Sequence, residues 1–153
     1  MSGKYYIIPV VVAVAALGSW LTSFGIPGWY NTLTLPSIAP SGGVIGTVWT
    51  IIFILSGIAV LLIWNARKKI EHYGWIIGLL IANAVLNVAW SYIFFVQHLL
   101  FWAIMEMVVL NLTTLAVMVL GWRRARLAVW LLLPYFVWVS FATYLAYQIW
   151  LLN

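Results

Sequence analysis

The sequence predicts an all-α integral membrane protein, one domain over residues 1–153 built as a bundle of five transmembrane helices. Three observations predict it. Hydrophobic residues make up 67% of the chain and charged residues 6%, with a mean hydropathy of +1.14, whereas a soluble surface needs roughly a quarter of its residues charged. Five apolar stretches are each long enough for a spanning helix, which takes about 20 residues. The basic residues are confined to short clusters at the ends of those stretches.

The stretches run over Tyr5–Phe24, Val44–Asn65, Tyr73–Val96, Leu99–Gly121 and Leu127–Leu152. The first follows Lys4 and has the look of a signal sequence, but its apolar run is too long for one and four more spans follow, so it is read as uncleaved. The connections differ in character. Gly25–Gly43 carries no charge and contains Pro27, Pro36, Pro40 and the pair Trp29-Tyr30. Arg67-Lys68-Lys69-Ile70-Glu71-His72 joins the second and third spans, a turn at Gln97-His98 the third and fourth, and Arg123-Arg124-Ala125-Arg126 the last two.

With five spans, the N-terminus and the second and fourth connections share one side. Lys4, Arg67, Lys68, Lys69, Arg123, Arg124 and Arg126 are all of the basic residues, and all lie there. The positive-inside rule then places the N-terminus in the cytoplasm, with loop 25–43 and the C-terminus outside, in a cell (inner) membrane. The net charge of +5 is therefore a topology signal. It forms no extended basic face for nucleic acid.

Several chemistries are excluded. There is no cysteine, so no disulfide or thiolate metal site forms. His72 and His98 sit at different span ends, which leaves no multi-histidine metal site. Aspartate is absent, removing any Ser-His-Asp arrangement, and no phosphate loop occurs.

Polar residues inside spans are costly and mark sites of use. Glu106 in the fourth span should face the bundle, protonated or accepting hydrogen bonds, with Thr113 on the same helical face. Asn83, Asn87, Trp90, Ser91 and Phe94 form one stripe of the third span. Their amides either join helices or present donors to a ligand edge. In the fifth span Tyr135, Trp138, Ala142 and Leu145 recur at helical spacing beside Pro134, which removes one backbone hydrogen bond and is expected to kink the helix. A small residue among large aromatics makes room for something flat. Trp49 and Phe53 share a face of the second span. Of the eleven tryptophans, Trp20, Trp64, Trp75, Trp122, Trp130 and Trp150 lie near span ends, as interfacial belt residues do. Trp49, Trp90 and Trp138 belong to internal faces. Aromatic walls with a few amides and a carboxyl suit a planar, mostly apolar ligand with polar edges. The uncharged first loop is either a lid over such a site or an interfacial anchor.

Taken together these pieces resemble the TspO/translocator protein family, the tryptophan-rich sensory proteins also known as peripheral-type benzodiazepine receptors, and suggest a bacterial member. The resemblance rests on Trp29-Tyr30, Leu35-Pro36-Ser37 and Pro40 in the loop, then Gly46-Thr47-Val48-Trp49. It continues through Asn83, Asn87, Trp90-Ser91, Phe94-Phe95, Glu106, Thr113-Thr114, Pro134-Tyr135, Trp138, Phe141-Ala142 and Leu152-Asn153. It implies a five-helix bundle, often a homodimer, with a pocket opening toward the first loop. The implied ligands are porphyrins (protoporphyrin IX and haem), sterols and isoquinoline carboxamide-type synthetic compounds, with no resident cofactor. By motif position, Tyr30, Pro40, Trp49, Phe53, Asn87, Trp90, Trp138 and Ala142 would line the pocket. Light-dependent degradation of protoporphyrin IX is implied for some bacterial members, with Trp49 and Trp138 in the catalytic positions. The leading expectation is a membrane receptor or sensor binding porphyrin, with an enzyme and a transporter as alternatives. The chain departs from the family at Ile38-Ala39-Pro40-Ser41, where Trp-x-Pro-Pro is usual, and at Leu145-Ala146, where Leu-Asn is frequent. No basic residue follows Tyr144 or Tyr147, so the proposed cholesterol motif is absent. Gly78 and Ala82 offer a close-packing contact, within the bundle or between copies.

Overall fold

The computed structural model describes residues 3–153. A short 3-10 turn, Gly3–Tyr6, leads into α1 (Ile7–Gly25). Pro9 falls in the first turn of α1, where its missing N–H leaves no bond unmade. Four helices follow: α2 (Gly42–Ala66), α3 (Tyr73–Phe95), α4 (Leu100–Gly121) and α5 (Arg126–Leu152). All five are long and apolar enough to cross a membrane. The first loop is shorter than its sequence suggests. Gly25 closes α1, and Gly42 and Gly43 already belong to α2. Ser41 sets that start: it is extended (φ −63°, ψ 153°), and its hydroxyl accepts from the Val44 N–H at 3.5 Å. One helix runs through Pro134.

The helices form a closed ring in the order α1, α2, α5, α4, α3. Lipid tails are as apolar as leucine, so helices associate here by close fit and internal hydrogen bonds. Ile52, Ile63, Ile76, Leu110, Val117 and Val139 fill the centre. Glycine sets where α1 touches its neighbours. A side chain at Gly25 would lie 2.7 Å from the Phe95 ring and 2.8 Å from its carbonyl oxygen, so only glycine allows α1 so near α3. A side chain at Gly3 would collide with the Trp64 ring of α2, and one at Gly57 of α2 would meet Val11 at 3.8 Å. α1 therefore leans on α3 near the first loop and on α2 near the basic end.

Both tight connections have a local cause. Between α3 and α4, His98 takes φ 58°, a left-handed conformation held by the Leu99 N–H bonded to the Ile93 carbonyl at 3.1 Å. Between α4 and α5, the Ala125 N–H reaches the Gly121 carbonyl at 2.8 Å. At the basic ends Arg67 lies 4.8 Å over the Trp64 ring and Arg126 5.9 Å over Trp122. Trp20, Trp75, Trp122, Trp130 and Trp150 are exposed, as belt residues are, whereas Trp64 is half-buried beneath the N-terminal turn. Gly78 faces outward, and a side chain there would meet nothing. It is not a packing residue within this bundle.

Candidate ligand-binding site

At mid-membrane, α3, α4 and α5 are joined by one polar network. The Asn83 amide nitrogen donates to Thr113 Oγ1 and Thr114 Oγ1, both at 2.9 Å, and to the Leu110 carbonyl at 3.2 Å. The Tyr135 hydroxyl donates to Asn83 Oδ1 at 2.9 Å and accepts from the Asn87 amide at 3.1 Å. The two amides of one helical stripe thus differ in use. Asn83 is a structural joint, engaged at both ends. Asn87 is anchored by Tyr135 alone and lines a cavity. Tyr135, at the centre of this network, stands out in the sequence only as an aromatic of the fifth span.

One turn nearer the first loop the character changes. Trp90 and Trp138 each lie three residues beyond the Asn87–Tyr135 pair, on α3 and α5 respectively, so they occupy the same level. Trp90 stacks on Phe94 (ring centroids 5.1 Å apart, 21° between planes), and Trp138 packs at 5.5 Å from Phe141. Across the ring, Trp49 of α2 lies 6.1 Å from Tyr135 and 5.6 Å from Phe53. Trp49, Trp90, Trp138 and Ala142 all pack against the central core rather than facing lipid. The indole nitrogens of Trp90 and Trp138 are enclosed, and neither has a hydrogen-bond partner among the described residues.

The loop closes over this level. Trp29, Tyr30 and Leu33 pack on Phe94 and Phe95, with Tyr30 5.8 Å from Phe95 and 6.2 Å from Phe94. Trp29 stacks on His98 at 4.1 Å and 18°, tying the loop to the α3–α4 turn. Burial pushes the Tyr30 phenol above its ordinary value, so it stays a neutral donor. The C-terminal residue fastens the rest: Asn153 accepts from the Thr34 N–H at 2.9 Å and donates to the Thr34 carbonyl at 3.1 Å. The sequence marks Asn153 only as part of the closing Leu152-Asn153 motif, and spacing does not show its partner, a residue 119 positions away. Pro40 is half-buried at the far end of the loop, just before α2.

A cavity of about 450 Å³ lies below this aromatic level. Of the eight residues singled out by sequence, Phe53 and Asn87 reach its wall. Tyr30, Pro40, Trp49, Trp90, Trp138 and Ala142 belong to the level above or to the loop, where the rings close on one another. Glu106 faces the bundle, 9% exposed, and neither carboxyl oxygen has a partner among the described residues. Thr113, on its helical face, is engaged instead by Asn83 and by the Leu110 carbonyl.

The chain is similar to known proteins over nearly its whole length. The sequence profile of the TspO/MBR family matches residues 7–151. The tryptophan-rich protein TspO of Bacillus cereus is 36% identical over 82% of this chain and 80% of its own length. The TspO protein of Chlorobaculum tepidum is 32% identical over 95% of this chain and 92% of its own. The human translocator protein is 31% identical over 80% of this chain and 73% of its own. A five-helix membrane bundle with inward-facing indoles and a clasped first loop, matched from α1 to the last turn of α5, belongs to the TspO/MBR family.

Proposed function

We propose that this protein is a membrane receptor for a flat, mostly apolar ligand with acceptor atoms at its edge, of which a porphyrin such as protoporphyrin IX is the leading chemistry. The carrying observation is the pair of enclosed, unpartnered indole N–H groups of Trp90 and Trp138. A buried donor without an acceptor costs about 1–3 kcal/mol, and two at one level are relieved together by one acceptor-bearing guest. Trp49 supplies a ring face at this level, Ala142 presents only a methyl group a turn beyond Trp138, and Asn87 offers a carbonyl below. Tyr30, neutral and half-buried in the cap, adds a donor from above. Entry requires the rings to part, and the Asn153–Thr34 clasp holds the loop that would lift.

Fluorescence titration of the purified protein with protoporphyrin IX tests the reading. Wild type should quench saturably at one site per chain. Ala142→Phe, which puts a ring where wild type has a methyl group, should abolish saturation while the helical content stays that of wild type. Unchanged affinity in that variant would reject this site.

A further inference from the structure

The cavity below the aromatic level has a shape of its own. Its wall comes from Gly3 and Tyr6 of the N-terminal turn, residues between Ile7 and Val14 of α1, Ile52 and Val60 of α2, and Ile77 and Asn87 of α3, with Thr114 and Val117 of α4 and Leu132 and Tyr135 of α5. Most of these lie between the middle of their helix and the basic end, with Ile52, Phe53, Val85 and Asn87 at mid-helix, within about one turn of the midpoint on the loop side. At 1.5 Å rise per residue the α3 stretch is about 15 Å long, which is half the roughly 30 Å hydrocarbon core. The cavity is a slot one leaflet deep, parallel to the helices.

The slot opens sideways, and the course of α1 explains why. Near the loop, Gly25 brings α1 against Phe95 of α3. Near the basic end, Gly57 and Gly3 bring it against α2 instead. A wedge therefore widens between α1 and α3 toward the basic end. Its rim residues Val10, Ile81 and Val85 are 53%, 61% and 63% exposed, which in a membrane means exposed to lipid. Inside, the polar groups are engaged with one another. Asn83 and Tyr135 are bonded as donor and acceptor alike, and the Asn87 amide is donated. Among the described residues the hydroxyl of Ser56 is the wall atom left enclosed without a partner. Apart from the Asn87 carbonyl at its upper end and the Tyr6 hydroxyl at its rim, the lining is otherwise hydrocarbon. At the basic end of the bundle stand Lys4, on the turn that packs against Trp64, and Arg67, Lys68 and Lys69 just beyond α2, with Arg67 held on Trp64.

We infer that this wedge holds one acyl chain of an anionic phospholipid from the leaflet on the basic side, with the headgroup held among Lys4, Arg67, Lys68 and Lys69. Slot depth matches one leaflet, the side opening faces the acyl chains, and the clustered cations complement an anionic headgroup. The site is separate from the one proposed for porphyrin, sharing only Phe53 and Asn87 at its upper end.

Native mass spectrometry of protein purified from bilayers of mixed phosphatidylglycerol and phosphatidylethanolamine tests it. One retained phospholipid per chain is expected, enriched in phosphatidylglycerol. Ala84→Phe and Val60→Phe, measured on the fraction eluting as wild type, should each lower retention about tenfold, the cost of overpacking a filled slot. Val108→Phe, on the exposed outer face of α4, should leave it unchanged. Lys68→Gln with Lys69→Gln should remove most of the headgroup preference, each cation near an anionic surface being worth about 1 kcal/mol. Trp90→Phe with Trp138→Phe should leave retention intact, so that failure of the porphyrin reading and failure of this one are separable. Equal retention in the filled variants, or an equal loss in Val108→Phe, would overturn the inference. Loss of the lipid in Ser56→Val would overturn it too, since an occupant held by that hydroxyl is not a hydrocarbon chain.

Discussion

The network at mid-membrane and the indole level one turn above it bury polar groups in the same hydrocarbon setting with opposite outcomes. Below, Asn83 and Tyr135 have every donor and acceptor engaged, across three helices. Above, the N–H groups of Trp90 and Trp138 engage nothing among the described residues. Satisfied groups hold a bundle together, whereas unsatisfied ones leave binding energy for a guest. The difference gives each level its role, and it is open to experiment.

The largest expected effect is on the upper level. Trp90→Phe combined with Trp138→Phe keeps an aromatic ring at each position, at the loss of part of its area, and removes both free donors. Protoporphyrin IX affinity should fall by about 30- to 100-fold, as the loss of two hydrogen bonds to a buried guest implies. Without ligand the same variant should melt close to wild type, because the loss of two unsatisfied donors offsets the packing area lost with the indoles. A parallel loss of thermal stability in detergent would make these indoles structural and erase the contrast.

Asn83→Leu should behave in the reverse manner. It removes the joint between α3, α4 and α5, at roughly 0.6 kcal/mol for each membrane hydrogen bond, so about 2 kcal/mol altogether. Unfolding in a denaturing detergent titration should show that loss, while porphyrin affinity changes by less than about threefold. An affinity loss as large as that of the indole variant would mean the two levels act as one unit.

These contrasts show what the sequence makes legible. Span number and helical class follow from hydropathy and length, and the confinement of Lys and Arg to one set of connections is plain in the order of residues. The inward aspect of Trp49, Trp90 and Trp138 also follows from helical spacing. What spacing leaves open is which of two amides on one stripe finds a partner. Asn83 and Asn87 are equivalent in the third span, and only the approach of Thr113, Thr114 and Tyr135 from other helices separates them. The lateral wedge was illegible for a related reason. It depends on the lean of α1, set by Gly3, Gly25 and Gly57 against partners far away in sequence.

A smaller effect is expected at the loop. Asn153→Ala removes both bonds to Thr34, which are exposed and together worth about 1 kcal/mol. The clasp holds the cap and touches no ring of the site, so the variant should release bound porphyrin about fivefold faster in stopped-flow exchange. Melting of the bundle should stay that of wild type. If release is unaltered, ligand does not pass beneath this loop, and the side opening between α1 and α3 becomes the route of entry.

The smallest effect probes a third buried polar group, on neither side of the comparison. Glu106 has both carboxyl oxygens enclosed and unpartnered, although its helix carries Thr113 and Thr114 a few residues on. Those threonines lie two turns away, about 10 Å along the helix, and are engaged by Asn83, so they leave the carboxyl without a partner on its own helix. If Glu106 is only a filler of the α4 face, Glu106→Met keeps its volume, removes an uncompensated polar group and raises stability by about 1 kcal/mol. The unfolding midpoint in detergent should then move upward with porphyrin affinity unchanged. A destabilised variant would show instead that the carboxyl finds a partner when ligand or water enters, and would move Glu106 to the indole side of the contrast, among the groups left unsatisfied for a guest.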